Sequence, residues 1–216
     1  MARGTRVGPI RRSLFAALVL VLVALPLLQA RPAQASSVLD VGAYQQQYSL
    51  SCEFASLQIV TQYWGDAISE HWAVNVTPWS DNPHYGFRGD INGGWGDTWD
   101  YGIYAEPLGD IARWAGYGAE VSYGADADIL ASYLDQGIPL IVWMSVRFDG
   151  GWYEYDADGE PYKIVPYEHV MVAYGYDDGG VYISDPGTGW YDYFDWGYFL
   201  DTWSIMDGMA LAVYPV

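Results

Sequence analysis

The sequence predicts an α+β fold, and three observations predict it. Helix-period apolar patterns dominate residues 52–136, interrupted by a long loop and one short strand. Strand patterns joined by short Asp- and Gly-containing turns dominate residues 139–214. A run of helices followed by a run of antiparallel strands is the α+β arrangement, with an N-terminal helical part packed on a C-terminal antiparallel sheet.

The first 35 residues read as a leader rather than as part of the fold. Arg3, Arg6, Arg11 and Arg12 form a basic start, and Leu14 to Leu28 is an apolar run broken by Pro26. Ala33-Gln34-Ala35 then supplies a small-x-small cleavage site. The run is short for a membrane span, so a secretory signal peptide over residues 1–35 is expected rather than a retained anchor. Residues 36–216 are expected to form one domain, secreted and without a membrane partner once the leader is removed.

Phe54, Leu57, Ile59, Val60, Tyr63 and Trp64 predict the first helix, starting at Cys52. Ser51 suits the N-cap, Glu53 the first turn and Gly65 the C-cap. Ile68 to Val76 predicts a second, short helix that carries His71 on its surface. Pro78 to Tyr104 has no apolar period and is rich in Gly, Asp, Trp and Tyr, which predicts a long functional loop. It contains His84. Its Trp95 and Tyr101, with Trp143 further on, are expected to line a substrate groove.

Pro107 to Gly116 predicts a helix and Ala119 to Tyr123 a short strand. Asp126 to Gln136 predicts a helix with Ile129, Leu130 and Leu134 inward. Pro139 to Val146 is almost continuously apolar, as in a strand buried on both faces. Trp152–Asp156 and Tyr162–Val165 flank Asp158-Gly159 and predict a hairpin. His169–Tyr176 and Val181–Ser184 predict a second hairpin, Phe194 to Met206 a helix, and Met209 to Tyr214 the closing strand.

Composition excludes some functions. All 27 acidic residues lie beyond residue 35, against four basic ones there, Arg88, Arg113, Arg147 and Lys163, for a net charge of −23. Nucleic acid and anionic membranes need Lys/Arg clusters that this stretch lacks. Cys52 is the only cysteine, so neither a disulfide framework nor a thiolate zinc cage is available. With no HExxH either, no metal or cofactor is expected.

A thiol at a helix N-terminus is placed to become a nucleophile, because the helix dipole favours thiolate. It needs a base. His169 begins one strand of the second hairpin and Asp185 ends the other, so the two should be neighbours across the sheet. A carboxylate there fixes the tautomer and stabilises imidazolium. A side-chain amide just before the cysteine would add an oxyanion donor beside the Cys52 N–H, and Gln45, Gln46 and Gln47 all qualify.

Gln-x5-Cys-Glu-x-Ala-Ser-Leu, then His-Val-x-Val-x-Tyr-Gly-Tyr-Asp-Asp and Val-Tyr-Ile-Ser-Asp-Pro, carry a family likeness. Over roughly residues 41–216 the chain resembles the papain-like cysteine peptidases related to the leader-peptide-cleaving domains of bacteriocin exporters, and among them the secreted stand-alone members. The resemblance implies a papain-like fold and a thiol hydrolase acting on a peptide or protein substrate through an acyl-enzyme. It makes Cys52 the nucleophile, His169 the base, Asp185 its orienting carboxylate and Gln46 the oxyanion donor. Two other readings fit the same residues: a silent peptide- or glycan-binding module, and cell-wall amidase or transfer chemistry.

Overall fold

Alternation along three strands explains the architecture of the computed structural model. In β3 (Leu140–Ser145), β6 (Glu168–Tyr176) and β9 (Ala210–Pro215), successive residues face opposite sides of one sheet. Ile141, Trp143, Val170, Val172, Leu211 and Val213 enter one core cluster; Leu140, Val142, Met144, Met171, Ala173, Ala210 and Ala212 enter another. The structure describes residues 1–2, 4 and 36–216. The leader expected at residues 1–35 therefore lies, but for residues 1–2 and 4, outside the described residues.

The first cluster lies against α1 (Cys52–Tyr63) and α3 (Ala105–Trp114); α2 (Glu70–Val76) packs beside α1. The second lies under α4 (Ala127–Asp135) and α5 (Trp196–Ile205). Helices thus cover both faces of the sheet, α5 falling before the last strand where the sequence also expected a helix. Burying a Leu- or Phe-sized side chain on such a face contributes roughly 1.5–3 kcal/mol.

The sheet runs β2 (Tyr117–Ser122), β9, β3, β6, β7 (Gly180–Asp185), β8 (Trp190–Asp195), all antiparallel, with β1 (Ser37–Val38) beside the end of β6. A separate hairpin joins β4 (Trp152–Tyr155) to β5 (Pro161–Ile164). At its turn Asp156 accepts hydrogen bonds from the Asp158 and Glu160 N–H groups, as an Asx-type turn requires.

Several local expectations change. Strand β8 replaces the start of the expected last helix: its tyrosine and tryptophan side chains are mostly exposed, so no alternation announced it. Ile129 is exposed, and only Leu130 and Leu134 of α4 are buried. Ser51 precedes α1 without capping it by its side chain; its hydroxyl instead donates to Glu70 at 2.5 Å. Within the 78–104 loop Arg88 is buried, paired with Glu154 at 2.8 Å and bonded to the Asp81 carbonyl and the Tyr162 hydroxyl.

Candidate active site

Helix α1 delivers Cys52 and the β6–β7 hairpin delivers the other two groups. The register pairs Val172 with Ser184. Continued by one residue it sets Asp185 opposite Met171, and His169 lies two residues on, on the same face. His169 Nε2 and Asp185 Oδ1 are 2.6 Å apart. With Nε2 committed to the carboxylate, Nδ1 is the nitrogen left for a thiol or a substrate.

The same Asp185 oxygen also accepts the Gly187 N–H, 2.8 Å from Oδ1. Burial opposes its charge, but the hydrogen bond and charge of His169 and the Gly187 N–H outweigh it and keep the carboxyl below the usual aspartate range. Gly187 keeps this site uncrowded: a Cβ there would lie 3.1 Å from the imidazole and 3.2 Å from Oδ1, close enough that a neighbour would have to shift.

Cys52, His169 and Asp185 line one cavity of about 440 Å³, together with Gln46, Trp95, Tyr101 and Glu168. Gln46 is the only glutamine of residues 45–47 on that wall; Gln47 bonds the Tyr44 hydroxyl and the Gln45 Cβ lies against Gly189. The Gln46 amide nitrogen donates to the carbonyls of Tyr48 at 2.8 Å and Ser49 at 3.0 Å, and its oxygen is buried with no partner among the described residues. Trp95 lines the cavity while its indole N–H donates to the Glu168 carbonyl at 3.0 Å. Tyr101, nearly buried, shares a 3.0 Å hydrogen bond with the Tyr104 hydroxyl. Trp143 is not there. It is fully buried, its indole N–H donating to the Ile103 carbonyl at 3.0 Å, and the expectation that it lines the groove is corrected to a core role. An inward position on a strand buried on both faces leaves such a side chain no route to a surface groove.

The other histidines lie elsewhere. His71 is exposed and bonds the Tyr48 hydroxyl. His84 has Glu106 at 3.0 Å, but neither lines the Cys52 cavity.

Two buried neighbours of Cys52 escaped sequence reasoning. Glu53 and Glu168 are buried, and one ligand atom of each lies within 4.8 Å of the other and of the Cys52 sulfur. Glu53 Oε1 accepts the Ile103 N–H at 2.8 Å, and the Cys52 thiol donates to Glu53 Oε2 at 3.4 Å. Glu168 Oε1 has no partner among the described residues. Burial raises the Glu53 carboxyl to about 7, against backbone N–H bonds that pull the other way. Burial, then the Glu53 charge, holds Glu168 well above the glutamate range. The same burial, followed by the charges of Glu53 and Glu168, pushes the Cys52 thiol well up. The pull of the helix N-terminus toward thiolate is thus opposed by desolvation and by two neighbouring carboxyls. The available signal was a glutamate adjoining each chemical residue, Cys52-Glu53 and Glu168-His169.

Comparison with known proteins adds the family and the fold. The model of the Peptidase_C39 like family matches residues 38–211. A Bacillus anthracis protein described only as C39-like superposes with a TM-score of 0.72 at 24% identity, over 84% of this chain and 98% of that one. The peptidase domain of Streptococcus ComA, a bifunctional ABC transporter of a quorum-sensing pathway, gives 0.53 at 18% identity, over 82% and 99%. A double glycine motif protease from an AMS/PCAT transporter, solved with a leader peptide, gives 0.50 at 18%, over 87% and 96%. No curated protein matches the chain. At these identities the solved structures speak for the papain-like α+β fold alone.

Proposed function

The chain belongs to the Peptidase_C39 like family, and from that premise we propose that it is an exported cysteine peptidase working through Cys52, His169 and Asp185. The observation that carries the proposal is the 2.6 Å His169–Asp185 pair on the wall of the cavity that Cys52 also lines. Its place outside the cytoplasm rests on the leader-like residues 1–35.

The residues divide the work as follows. Cys52 passes its proton to His169 Nδ1, so that thiolate and imidazolium form together; an isolated thiolate beside Glu53 and Glu168 would be costly. The thiolate attacks the peptide carbonyl, and the oxyanion is held by the Cys52 N–H. Gln46 joins it when one amide hydrogen leaves a backbone carbonyl for the oxyanion. Imidazolium then protonates the leaving amine, the thioester remains, and His169 deprotonates the water that releases the acid. Asp185 keeps the ring oriented throughout.

The test is to quench the full chain during turnover of a peptide mixture and weigh it intact. A mass increase mapping to Cys52, absent in His169→Ala, is the expected result. Peptide hydrolysis that persists in Cys52→Ala would overturn the mechanism, and binding without any acylation would indicate a silent module.

A further inference from the structure

Three of the four basic side chains in residues 36–216 are engaged by carboxylates. Arg88 meets Glu154 at 2.8 Å, Arg113 meets Asp110 at 2.6 Å, and Lys163 has Asp207 at 3.7 Å. Among the described residues Arg147 alone has no carboxylate partner, and it is exposed. In a stretch of net charge −23, any carboxylate within reach would be drawn to such a cation. Arg147 is held instead by aromatic faces, its guanidinium carbon 4.1 Å from the Tyr167 ring centre and 5.2 Å from that of Trp95. Stacking uses the face of the guanidinium and leaves its edge of N–H donors unspent.

The platform beneath it is specifically built. Tyr167 adopts φ +57°, a left-handed conformation that residues other than glycine rarely take. Gly96 makes room for it: a Cβ there would lie 2.1 Å from the Tyr167 ring. Trp95 packs edge-on to Tyr167 with ring centres 5.2 Å apart. Trp95 and Val146, the residue before Arg147, both line the Cys52 cavity, and Tyr167 stands two residues before His169.

We propose that Arg147 on this platform is a carboxylate-binding subsite at the cavity rim. It selects peptides that carry an Asp or Glu side chain, or a free C-terminal carboxylate, beside the cleaved bond. The rest of the acidic surface repels such peptides, so recognition is local and not a matter of long-range steering. The inference rests on the peptidase reading and names the substrate class of that same site.

The experiment equilibrates the full chain bearing Cys52→Ala with a randomised peptide mixture, half free acids and half C-terminal amides, and sequences what is retained. Asp and Glu, or the free-acid half, should be enriched about tenfold over Asn, Gln and amides, as one well-formed charge pair gives. Which of the two is enriched tells the side chain from the terminus as the source. Adding Arg147→Gln should abolish the preference, and Arg147→Lys should restore part of it, retaining charge without the planar fork. A platform residue with only a structural role would leave the acid-to-amide ratio untouched. No preference, a preference unchanged by Arg147→Gln, or no retained peptide overturns the subsite. The peptidase reading is judged apart, by acylation of Cys52 in the unsubstituted chain.

Discussion

Cys52, the proposed nucleophile, sits where its surroundings resist thiolate charge, and Glu53 carries the carboxyl bonded to its thiol. Its carboxyl titrates at about 7, so it is neutral below that pH and charged above it. Above pH 7 the added negative charge beside the sulfur opposes thiolate; below pH 7 that opposition fades. Glu53→Gln removes the charge and keeps an oxygen for the Ile103 N–H. Alkylation of Cys52 by iodoacetamide at pH 8 is therefore expected to speed up roughly tenfold in Glu53→Gln, an interaction of about 1.4 kcal/mol between neighbouring charges. Near pH 6 the two proteins should react alike. Equal rates at both values would show that Glu53 carries no charge near the thiol.

At the scale of elements, one contact fastens the long loop to α1. Gly102 lies so close to Glu53 that a Cβ there would fall 2.1 Å from Oε1, and the next residue donates the Ile103 N–H to that oxygen. Gly102→Ala should break this buried charge-assisted bond at a cost of about 1–3 kcal/mol. A Tm lowered by roughly 3–10 °C would register it; an unchanged Tm would mean that α1 and the loop accommodate the methyl. This joint was not legible in the sequence, whereas α1 and the β6–β7 hairpin were. Apolar side chains mark both elements, while the irregularity between Ala173 and Gly175, which the sequence did not announce, shifts the pairing by one residue and so sets Asp185 on the face of His169. Strand β8 was hidden because Trp190, Tyr191 and Tyr193 are exposed, and Ile129 misled because an apolar residue need not face the core. The Glu53–Glu168 pair was hidden for the opposite reason. Glutamate next to a helix start or a strand end reads as solvated, and only the packed coordinates reveal that it is dry.

At the scale of the whole molecule, the question is how a chain with 27 acids and so few cations holds its charge. Tyrosine hydroxyls take much of that task. Asp177 accepts from Tyr182 at 2.8 Å and Tyr193 at 2.6 Å, which with backbone N–H bonds lowers it to about 2. Glu120 accepts from Tyr133 and Tyr214, and Glu106 from Tyr123 and His84; burial works against Glu106, yet both carboxyls end below the usual range. Groups so depressed stabilise the fold above the ordinary carboxylate range, and that contribution is lost as pH falls through their lowered values. Glu53 and Glu168 have the opposite sign. Their raised values mean that the native state holds protons that the unfolded chain has released, so stability falls as pH rises from the ordinary glutamate range toward 7 and beyond. Surface repulsion grows in the same direction but is screened by salt, while the buried pair is not. The Tm should accordingly peak between about pH 4.5 and 6 and fall by roughly 5–10 °C toward pH 8, the Glu53 share alone being on the order of 2–3 kcal/mol. Calorimetry in 20 mM and 500 mM salt separates the causes: salt should recover the surface part at pH 8, and Glu53→Gln should recover the Glu53 share of what remains. A Tm that climbs steadily from pH 5 to pH 8 at low salt would mean that neither the buried pair nor the net charge governs stability.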